Sequence, residues 1–250
     1  MALFETKSAL RESELPKLQT KSGELLIQIR ACAVCRTDLH VIDGDLPDPK
    51  LALIPGHQIV GHIVERGPNA HRYDVGDRVG IPWLAWTCGS CRYCKSGQEN
   101  FCDSAQFTGY TRDGGSAEFA VIDERFCVGT PDSCGDAETA PLLCAGMIGF
   151  RSLMKTGDAH RLGIFGFGAA AVLITQVAVY EGREIYVFTR SKNNQELARS
   201  LGVFWVGNSE HPPMAKVWMR RSCLRHPEQS YRLRCELFVR EALSFVAEST

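Results

Sequence analysis

The sequence has no long hydrophobic run and no excess of charge of either sign. None of its apolar stretches approaches the roughly 20 residues that a helix needs to cross a bilayer, so we expect no membrane as a partner. The 28 Lys and Arg residues against 29 Asp and Glu give a formal net charge of −1, which gives no electrostatic reason to expect nucleic acid or anionic lipid. The N-terminal stretch MALFETKSALRESELPK lacks the apolar core of a secretory signal, which predicts a cytoplasmic protein.

Cysteine, by contrast, is abundant, with 11 residues in a chain of 250. The cytosol keeps thiols reduced, so this number calls for a metal or redox explanation more than for disulfides. Four of them follow the spacing C-x2-C-x2-C-x7-C in WTCGSCRYCKSGQENFC: Cys88, Cys91, Cys94 and Cys102. Such short loops let four sulfurs converge on one tetrahedral ion at about 2.3 Å, the geometry that zinc prefers. Four protein ligands leave no open position, which indicates a structural site; buried cysteines, disulfides and an iron–sulfur cluster are the alternatives.

A second, dispersed set of metal-ligand residue types is weaker by spacing alone. Cys35 lies in ACAVCRTDLH, His57 in IPGHQIVGH and Cys144 in APLLCAG. Two thiolates and one imidazole would leave a zinc ion one open position, which a catalytic metal needs. Taken singly, Cys144 also fits a small core residue and His57 a structural histidine.

The fold class that the pattern predicts is α/β plus mostly-β. Residues 1–145 are rich in Gly, Pro and β-branched residues, and short alternating runs such as ELLIQIRA (24–31) and HQIVGHIVE (57–65) are separated by turn signals. This indicates a compact β domain. Over residues 146–207 the pattern changes to alternating strands and helices, which predicts a parallel sheet with crossover helices. The strands are expected at 162–166, 184–189 and 203–207, and the helices at 169–182 and between Ser191 and Gly202.

Together these motifs resemble the zinc-dependent alcohol dehydrogenases of the medium-chain dehydrogenase/reductase superfamily. The resemblance covers about residues 20–207 and is carried, in the family's order, by CRTDLH, PGHQIVG, VGDRVGIPW, CGSCRYCKSGQENFC, DGGSAEFAV, LLCAG and GFGAAA. It implies a GroES-like β domain followed by a partial Rossmann domain, a doubly wound parallel sheet. It also implies two zinc ions per chain: a catalytic zinc on Cys35, His57 and Cys144, and a structural zinc on the four clustered cysteines.

The resemblance implies further roles around the catalytic zinc. Thr37 would accept the proton of the alcohol and pass it through the cofactor ribose toward His40, and Asp38 would fix the tautomer of His57. Trp83 would line the pocket of a small alcohol or aldehyde. The chain departs from many relatives in having Gln58, where they have Glu, after the histidine ligand; an amide cannot ionise, so any carboxylate–zinc contact there would be weakened.

The cofactor is expected to be a nicotinamide dinucleotide. IFGFGAAA places Gly166, Gly168 and Ala171 between a predicted strand and a predicted helix, where glycines permit a tight turn and close approach of a pyrophosphate. By the resemblance, Arg36 would also touch that pyrophosphate. The second strand ends in Thr189-Arg190-Ser191 instead of an acidic residue, which favours NADP over NAD because these side chains can bind a 2′-phosphate.

Residues 208–250 form an atypical tail, with no glycine and many arginines. We expect these residues to be translated from a shifted reading frame. The alternative is an evolved short form whose tail packs over the exposed edge of the sheet. Only three of the six strands of a doubly wound sheet are predicted, so the strand at 162–166 would be an exposed edge and turnover would be impaired. A catalytically silent zinc-binding remnant is therefore the second functional reading. A zinc-independent quinone reductase is the third, against which both metal sites argue. The resemblance implies a homo-oligomer, but the sequence does not predict the oligomeric state of this chain.

Overall fold

The computed structural model describes residues 1–16 and 18–209. These residues fall into two units, Met1–Cys144 and a second unit from Ala145 onward. Residues 210–250, almost all of the atypical tail for which a shifted frame is expected, lie outside the described residues. No helix within the described ranges is both long and apolar enough to span a membrane.

The first unit is built mainly of antiparallel strands. Its strands are β1 (Glu24–Ala33), β2 (Gln58–Arg66), β3 (Arg78–Ile81), β4 (Leu84–Trp86), β5 (Gln106–Phe107), β6 (Phe119–Asp123) and β7 (Val128–Gly129). Its α-helices are α1 (Arg36–Ile42), α2 (Arg92–Lys95) and α3 (Asp136–Thr139). Five strands form one sheet in the order β6-β1-β2-β3-β7, and β4 pairs with β5. The predicted mostly-β domain is confirmed.

The core of this unit follows from the alternation in β1 and β2. Ile27 faces Ile63 across the antiparallel pair, and both side chains are buried. Alternate residues of a strand point to the same face, so such runs supply one apolar face to the core. At Gly61 the strands approach so closely that a Cβ would lie 2.3 Å from the carbonyl oxygen of Gln28, which only glycine allows. The sheet thus forms a rigid frame, and the loops at its strand ends carry the predicted ligands.

The second unit is of α/β type, with three parallel strands and three helices. Its strands are β8 (Arg161–Phe165), β9 (Glu184–Phe188) and β10 (Trp205–Gly207), and its helices are α4 (Ala145–Met154), α5 (Ala169–Tyr180) and α6 (Lys192–Ser200). The strands are parallel in the order β10-β9-β8, which confirms the predicted partial Rossmann sheet. β8 is the end strand of this sheet among the described residues.

Local sequence signals explain the ends of α6. The hydroxyl of Ser191 accepts a hydrogen bond from the backbone N–H of Asn194, which caps the first turn. Gly202 follows the helix at φ +79°, a conformation that glycine adopts without strain. The third strand begins two residues later than predicted, at Trp205. Helix α4 was not predicted as an element.

Candidate metal centres

Helix α1 presents Cys35 at its start. The Cys35 sulfur accepts a hydrogen bond from the backbone N–H of Thr37 at 3.3 Å, and the Asp38 carboxylate accepts one from the backbone N–H of Cys35 at 2.7 Å. This reciprocal pair is a capping box in which a thiol replaces the usual hydroxyl. The cap fixes the direction of the Cys35 side chain, and Thr37 is left inside the first turn instead of at the capping position.

His57 lies immediately before β2 and is 1% exposed. Its Nδ1 is 2.9 Å from Oδ1 of Asp38, itself buried, and its Nε2 is 3.4 Å from the sulfur of Cys35. The carboxylate therefore holds the hydrogen on Nδ1 and leaves Nε2 as the ligand nitrogen. Asp38 thus has the tautomer-fixing contact that the resemblance implied, and it binds the backbone of a second ligand as well.

Cys144 completes this group from a distant part of the chain. It follows a 3-10 helix, Ala140–Leu143, that begins with Pro141 near its first position. Leu143 is buried against β3, where a Cβ on Gly80 would lie 2.5 Å from its side chain. This packing anchors the end of the helix, and the ligand atoms of Cys35, His57 and Cys144 all lie within 4.8 Å of one another.

The donor set and spacing of these three residues fit a zinc ion. Tetrahedral coordination with Zn–S near 2.3 Å and Zn–N near 2.0 Å places sulfur and nitrogen roughly 3.5 Å apart. The observed distance between Cys35 Sγ and His57 Nε2 is 3.4 Å. Three protein ligands would leave one position of the tetrahedron open to another molecule.

The three donors also influence one another's ionisation. The hydrogen bond from the Cys144 thiol lowers the pKa of Cys35 to about 4 and raises the pKa of Cys144. Burial alone lowers the pKa of His57, but hydrogen bonds to Asp38 and Cys35 outweigh it and raise that pKa to about 9. In the metal-free chain the group therefore combines the Cys35 thiolate with a protonated His57 ring, and a bound cation would take the place of the proton on Nε2.

The four clustered cysteines form a second group within one loop. Gly89 and Gly97 turn the chain at φ +67° and +70°, a conformation that glycine adopts without strain. The sulfur–sulfur distances are 3.9 Å for Cys88–Cys94, 3.5 Å for Cys91–Cys94 and 3.6 Å for Cys88–Cys102. A tetrahedron with Zn–S bonds near 2.3 Å has edges of about 3.8 Å, so this group also fits zinc.

Backbone N–H groups point at the sulfurs of this loop. The N–H of Cys91 donates to Cys88, that of Cys94 to Cys91 and that of Cys88 to Cys102. Hydrogen bonds from the backbone and hydroxyl of Ser90 lower the pKa of Cys88 to about 6. Such donors favour thiolates, the form in which cysteine binds metal.

Trp83 contacts the three-ligand group directly. Its ring meets that of His57 edge-on, with centroids 5.0 Å apart and an interplanar angle of 81°. Phe107 and Tyr110 stack on Trp83 at 5.2 Å and 5.8 Å. Neither partner was foreseen from the sequence, although both precede the DGGSAEFAV run by only a few residues. They fix the orientation of Trp83, which the resemblance placed beside the substrate.

His40 lies near the end of α1 and is partly exposed. Its Nδ1 is 2.7 Å from the carboxylate of Asp45, a partner that the sequence reasoning missed. A carboxylate beside Nδ1 keeps the hydrogen of the neutral ring there and leaves Nε2 as a proton acceptor. The pairing is compatible with the relay that the resemblance implies.

Gln58 is buried and occupied by a local contact. Its side-chain amide donates to the carbonyl of Ala33 at 3.2 Å, at the end of β1 and two residues before Cys35. An ionised Glu has no hydrogen to donate to that carbonyl. Gln58 therefore makes a contact that an ionised Glu, the residue implied by the resemblance at this position, would not make.

The predicted dinucleotide residues of the second unit lie at the N-terminal end of α5 and just after the C-terminal end of β9. Gly166 follows β8 at φ +83°, Gly168 is the N-cap of α5 and Ala171 is in its first turn. A Cβ at either glycine would meet no atom within 4 Å, so the backbone there is open to a ligand. The remaining predicted contacts follow β9: Thr189 is buried, Arg190 is exposed, and Ser191 caps α6. Arg36, in the first unit, is exposed.

Comparison with known proteins gives a consistent picture. Residues 21–132 match the alcohol dehydrogenase GroES-like domain. The probable alcohol dehydrogenase AdhA of Mycobacterium tuberculosis is 48% identical over 77% of this chain and 58% of its own length. An alcohol dehydrogenase of Geobacillus stearothermophilus is 41% identical over 86% of this chain and 64% of its own length. The structure of CAD from Helicobacter pylori complexed with NADP(H) superimposes with a TM-score of 0.76 at 28% identity, covering 82% of this chain and 62% of that one. The chain thus spans about 60% of the length of these proteins.

Proposed function

We propose that this chain is a zinc-dependent alcohol dehydrogenase, because residues 21–132 match the alcohol dehydrogenase GroES-like domain and two curated alcohol dehydrogenases are 48% and 41% identical to it. On this premise we propose that the site at Cys35, His57 and Cys144 interconverts small alcohols and their aldehydes or ketones by hydride transfer to or from a nicotinamide dinucleotide. The observation that carries this proposal is the convergence of the three ligand atoms within 4.8 Å, with one tetrahedral position left over.

A zinc ion bound there would supply Lewis acidity, which favours loss of the proton from an alcohol hydroxyl. The protein residues around this site orient the ligands, limit the size of the substrate and move the proton. Asp38 keeps the hydrogen of His57 on Nδ1 so that Nε2 stays a ligand. Thr37, in the first turn after Cys35, is the proposed acceptor of the alcohol proton, and His40 is the proposed exit. Trp83, packed against His57, limits the space for a substrate, which supports small primary alcohols.

We also propose NADP as the preferred cofactor and two zinc ions per chain. Support for NADP comes from Thr189, Arg190 and Ser191 after β9, where no carboxylate stands to repel a 2′-phosphate, and from the NADP(H) complex of the structurally similar CAD. Arg36 remains a proposed pyrophosphate contact. A cytoplasmic location fits the free thiols of all nine cysteines within the described residues.

The experiment combines metal content with turnover on the full chain. Two zinc ions per chain by elemental analysis, together with oxidation of simple primary alcohols faster with NADP than with NAD, would support the proposal. Arg190→Asp should reverse the cofactor preference, because it removes the guanidinium and adds a negative charge that repels the 2′-phosphate of NADP. A chain that binds fewer than two metal ions would contradict the proposal of two zinc ions per chain.

A second candidate is a zinc-binding module without turnover. The observation that favours it is the four-cysteine loop, which offers a complete ligand set by itself. Two metal ions with no oxidation of any tested alcohol would select this alternative.

A further inference from the structure

The chain just before His57 is held by a second segment far away in sequence. Backbone N–H groups of Gly114, Gly115 and Ser116 donate to the carbonyls of Ile54, Gly56 and Pro55, at 2.7, 2.9 and 2.9 Å. These bonds do not belong to the ladder of any named strand. They fix the irregular stretch that enters β2 and therefore fix the position from which His57 leaves the backbone.

The two segments touch so closely that only glycine fits. A Cβ on Gly114 would lie 2.0 Å from the carbonyl oxygen of Gly56, and a Cβ on Gly109 would lie 2.7 Å from the Gly56 nitrogen. Residues 53–60 are buried throughout. A shift of the 113–116 segment would therefore be transmitted to the ligand.

The carboxylate of Asp113 links the two segments at one end of this contact. Oδ1 of Asp113 accepts the backbone N–H of Ile54 at 3.0 Å. The ammonium group of Lys50 donates to both oxygens of Asp113, at 2.7 and 2.8 Å, and to the carbonyl of Ala52 at 2.8 Å. The backbone N–H of Lys50 also donates to the carbonyl of Tyr110 at 3.0 Å. The ion pair thus binds the chain before His57 at two points, Ala52 through Lys50 and Ile54 through Asp113.

We propose that Lys50 and Asp113 are a positioning pair that holds His57 in place for metal binding. The inference rests on the proposed metal site and adds residues that do not themselves touch the metal. A ligand must be held within roughly 0.5 Å of its productive position, and partners outside the ligand set commonly contribute 10–100-fold to metal affinity. The competing expectation is that of an ordinary half-exposed ion pair, since both side chains are 41% exposed, and such pairs have little effect.

The test uses the two metal groups of the same chain as each other's reference. The full chain is loaded with Co²⁺, whose absorption bands distinguish a four-sulfur site from a site with two sulfurs and one nitrogen, and each band is followed during competition with a chelator. The variants are Asp113→Asn, which removes the ion pair and keeps an acceptor for Ile54, and Lys50→Met, which removes the ammonium group. Asp74→Asn is the matched control, because it breaks the exposed Arg66–Asp74 pair elsewhere in the same unit.

Both test variants should weaken Co²⁺ binding at the three-ligand site by about 10-fold and leave the four-cysteine site unchanged. Asp74→Asn should change neither site. A change below threefold in both test variants, or equal weakening at both sites, would overturn the positioning role while leaving the proposed function intact. A wild-type chain that binds Co²⁺ only at the four-cysteine site would overturn both.

Discussion

The two metal centres use similar donors and are assembled in opposite ways. The four-cysteine group takes all its ligands from residues 88–102, whereas the three-ligand group takes one each from the start of α1, the start of β2 and the end of a 3-10 helix. In the first case short loops bring the sulfurs together at little entropic cost. In the second case the folded sheet must bring them together. A local loop can therefore be complete by itself, while a dispersed site depends on the whole unit.

The surroundings of the two centres differ in the same sense. Backbone N–H groups and Ser90 surround the sulfurs of the four-cysteine loop. Around the three-ligand group the contacts come from charged side chains: Asp38 contacts Cys35 and His57, and Asp113, paired with Lys50, binds the backbone of Ile54 just before His57. Substitutions of Asp38, Lys50 or Asp113 should therefore weaken metal binding at the dispersed site and leave the four-cysteine site unchanged.

The largest effect is expected from His57→Ala. The variant removes one of three ligands, so we expect loss of the metal at that site and a fall in alcohol oxidation of at least about 1,000-fold where the wild type is active. The four-cysteine metal should remain, because none of its ligands changes. Elemental analysis should therefore fall from two ions to one. Loss of both ions would show that the two centres are coupled.

Asp38→Asn should have the next largest effect. An amide cannot supply the negative charge that holds the Nδ1 hydrogen of His57 and the N–H of Cys35, so metal affinity at the three-ligand site should fall by 10–100-fold, roughly the range for partners outside a ligand set. The measurement is chelator competition. Asp43→Asn, at the C-terminal end of the same helix, is the control and should leave the affinity as it is.

Cys91→Ser should act on stability rather than on the dispersed site. Loss of one of four ligands weakens the structural ion, and we expect the thermal midpoint of the first unit to fall by about 5 °C. The Co²⁺ spectrum of the three-ligand site should persist below that midpoint. Cys134→Ser changes an exposed thiol outside both groups, and its midpoint should match that of the wild type.

The smallest effect is expected at the ion pair beside the four-cysteine loop. Partial burial alone raises the pKa of Asp123, but the hydrogen bonds and charge of Arg125 outweigh it and lower that pKa. A lowered pKa in the folded state stabilises the protein above the unfolded pKa of about 3.9, and this contribution is lost as the pH falls through the folded value. Asp123→Asn should therefore cost less than about 1 kcal/mol at pH 7, after allowance for solvent screening, and nothing in strong acid. Urea unfolding at both pH values measures the difference. An equal deficit at both would point to packing instead of charge.

The sequence predicted the local features of this chain well. The four-cysteine group follows from spacing, and β1, β2 and β9 follow from alternating or apolar runs bounded by turn residues. The cap of α6 by Ser191 and its end at Gly202 follow from single residues. In each case the interacting groups are close in sequence, so the pattern contains the information.

Contacts between distant segments were not predictable in this way. Residues alone made the three-ligand group only one reading among several, and the resemblance was needed to join it. Lys50 and Asp113 are 63 positions apart, and nothing in either local pattern indicates that they meet. Asp45 was missed for another reason: its carboxylate reaches His40 only because the chain turns back after α1. Such pairs depend on tertiary geometry, which periodicity does not encode.

The double contact of Asp38 has an evolutionary consequence. Because a single carboxylate orients both a thiolate and an imidazole, the two donors form one inherited unit, and a substitution that suits one of them disturbs the other. A descendant that adapts this centre to a larger or harder cation would have to revise α1 and the entry to β2 in concert. The four-cysteine loop takes all its ligands from residues 88–102, so it can be lost or exchanged without a change in α1 or β2.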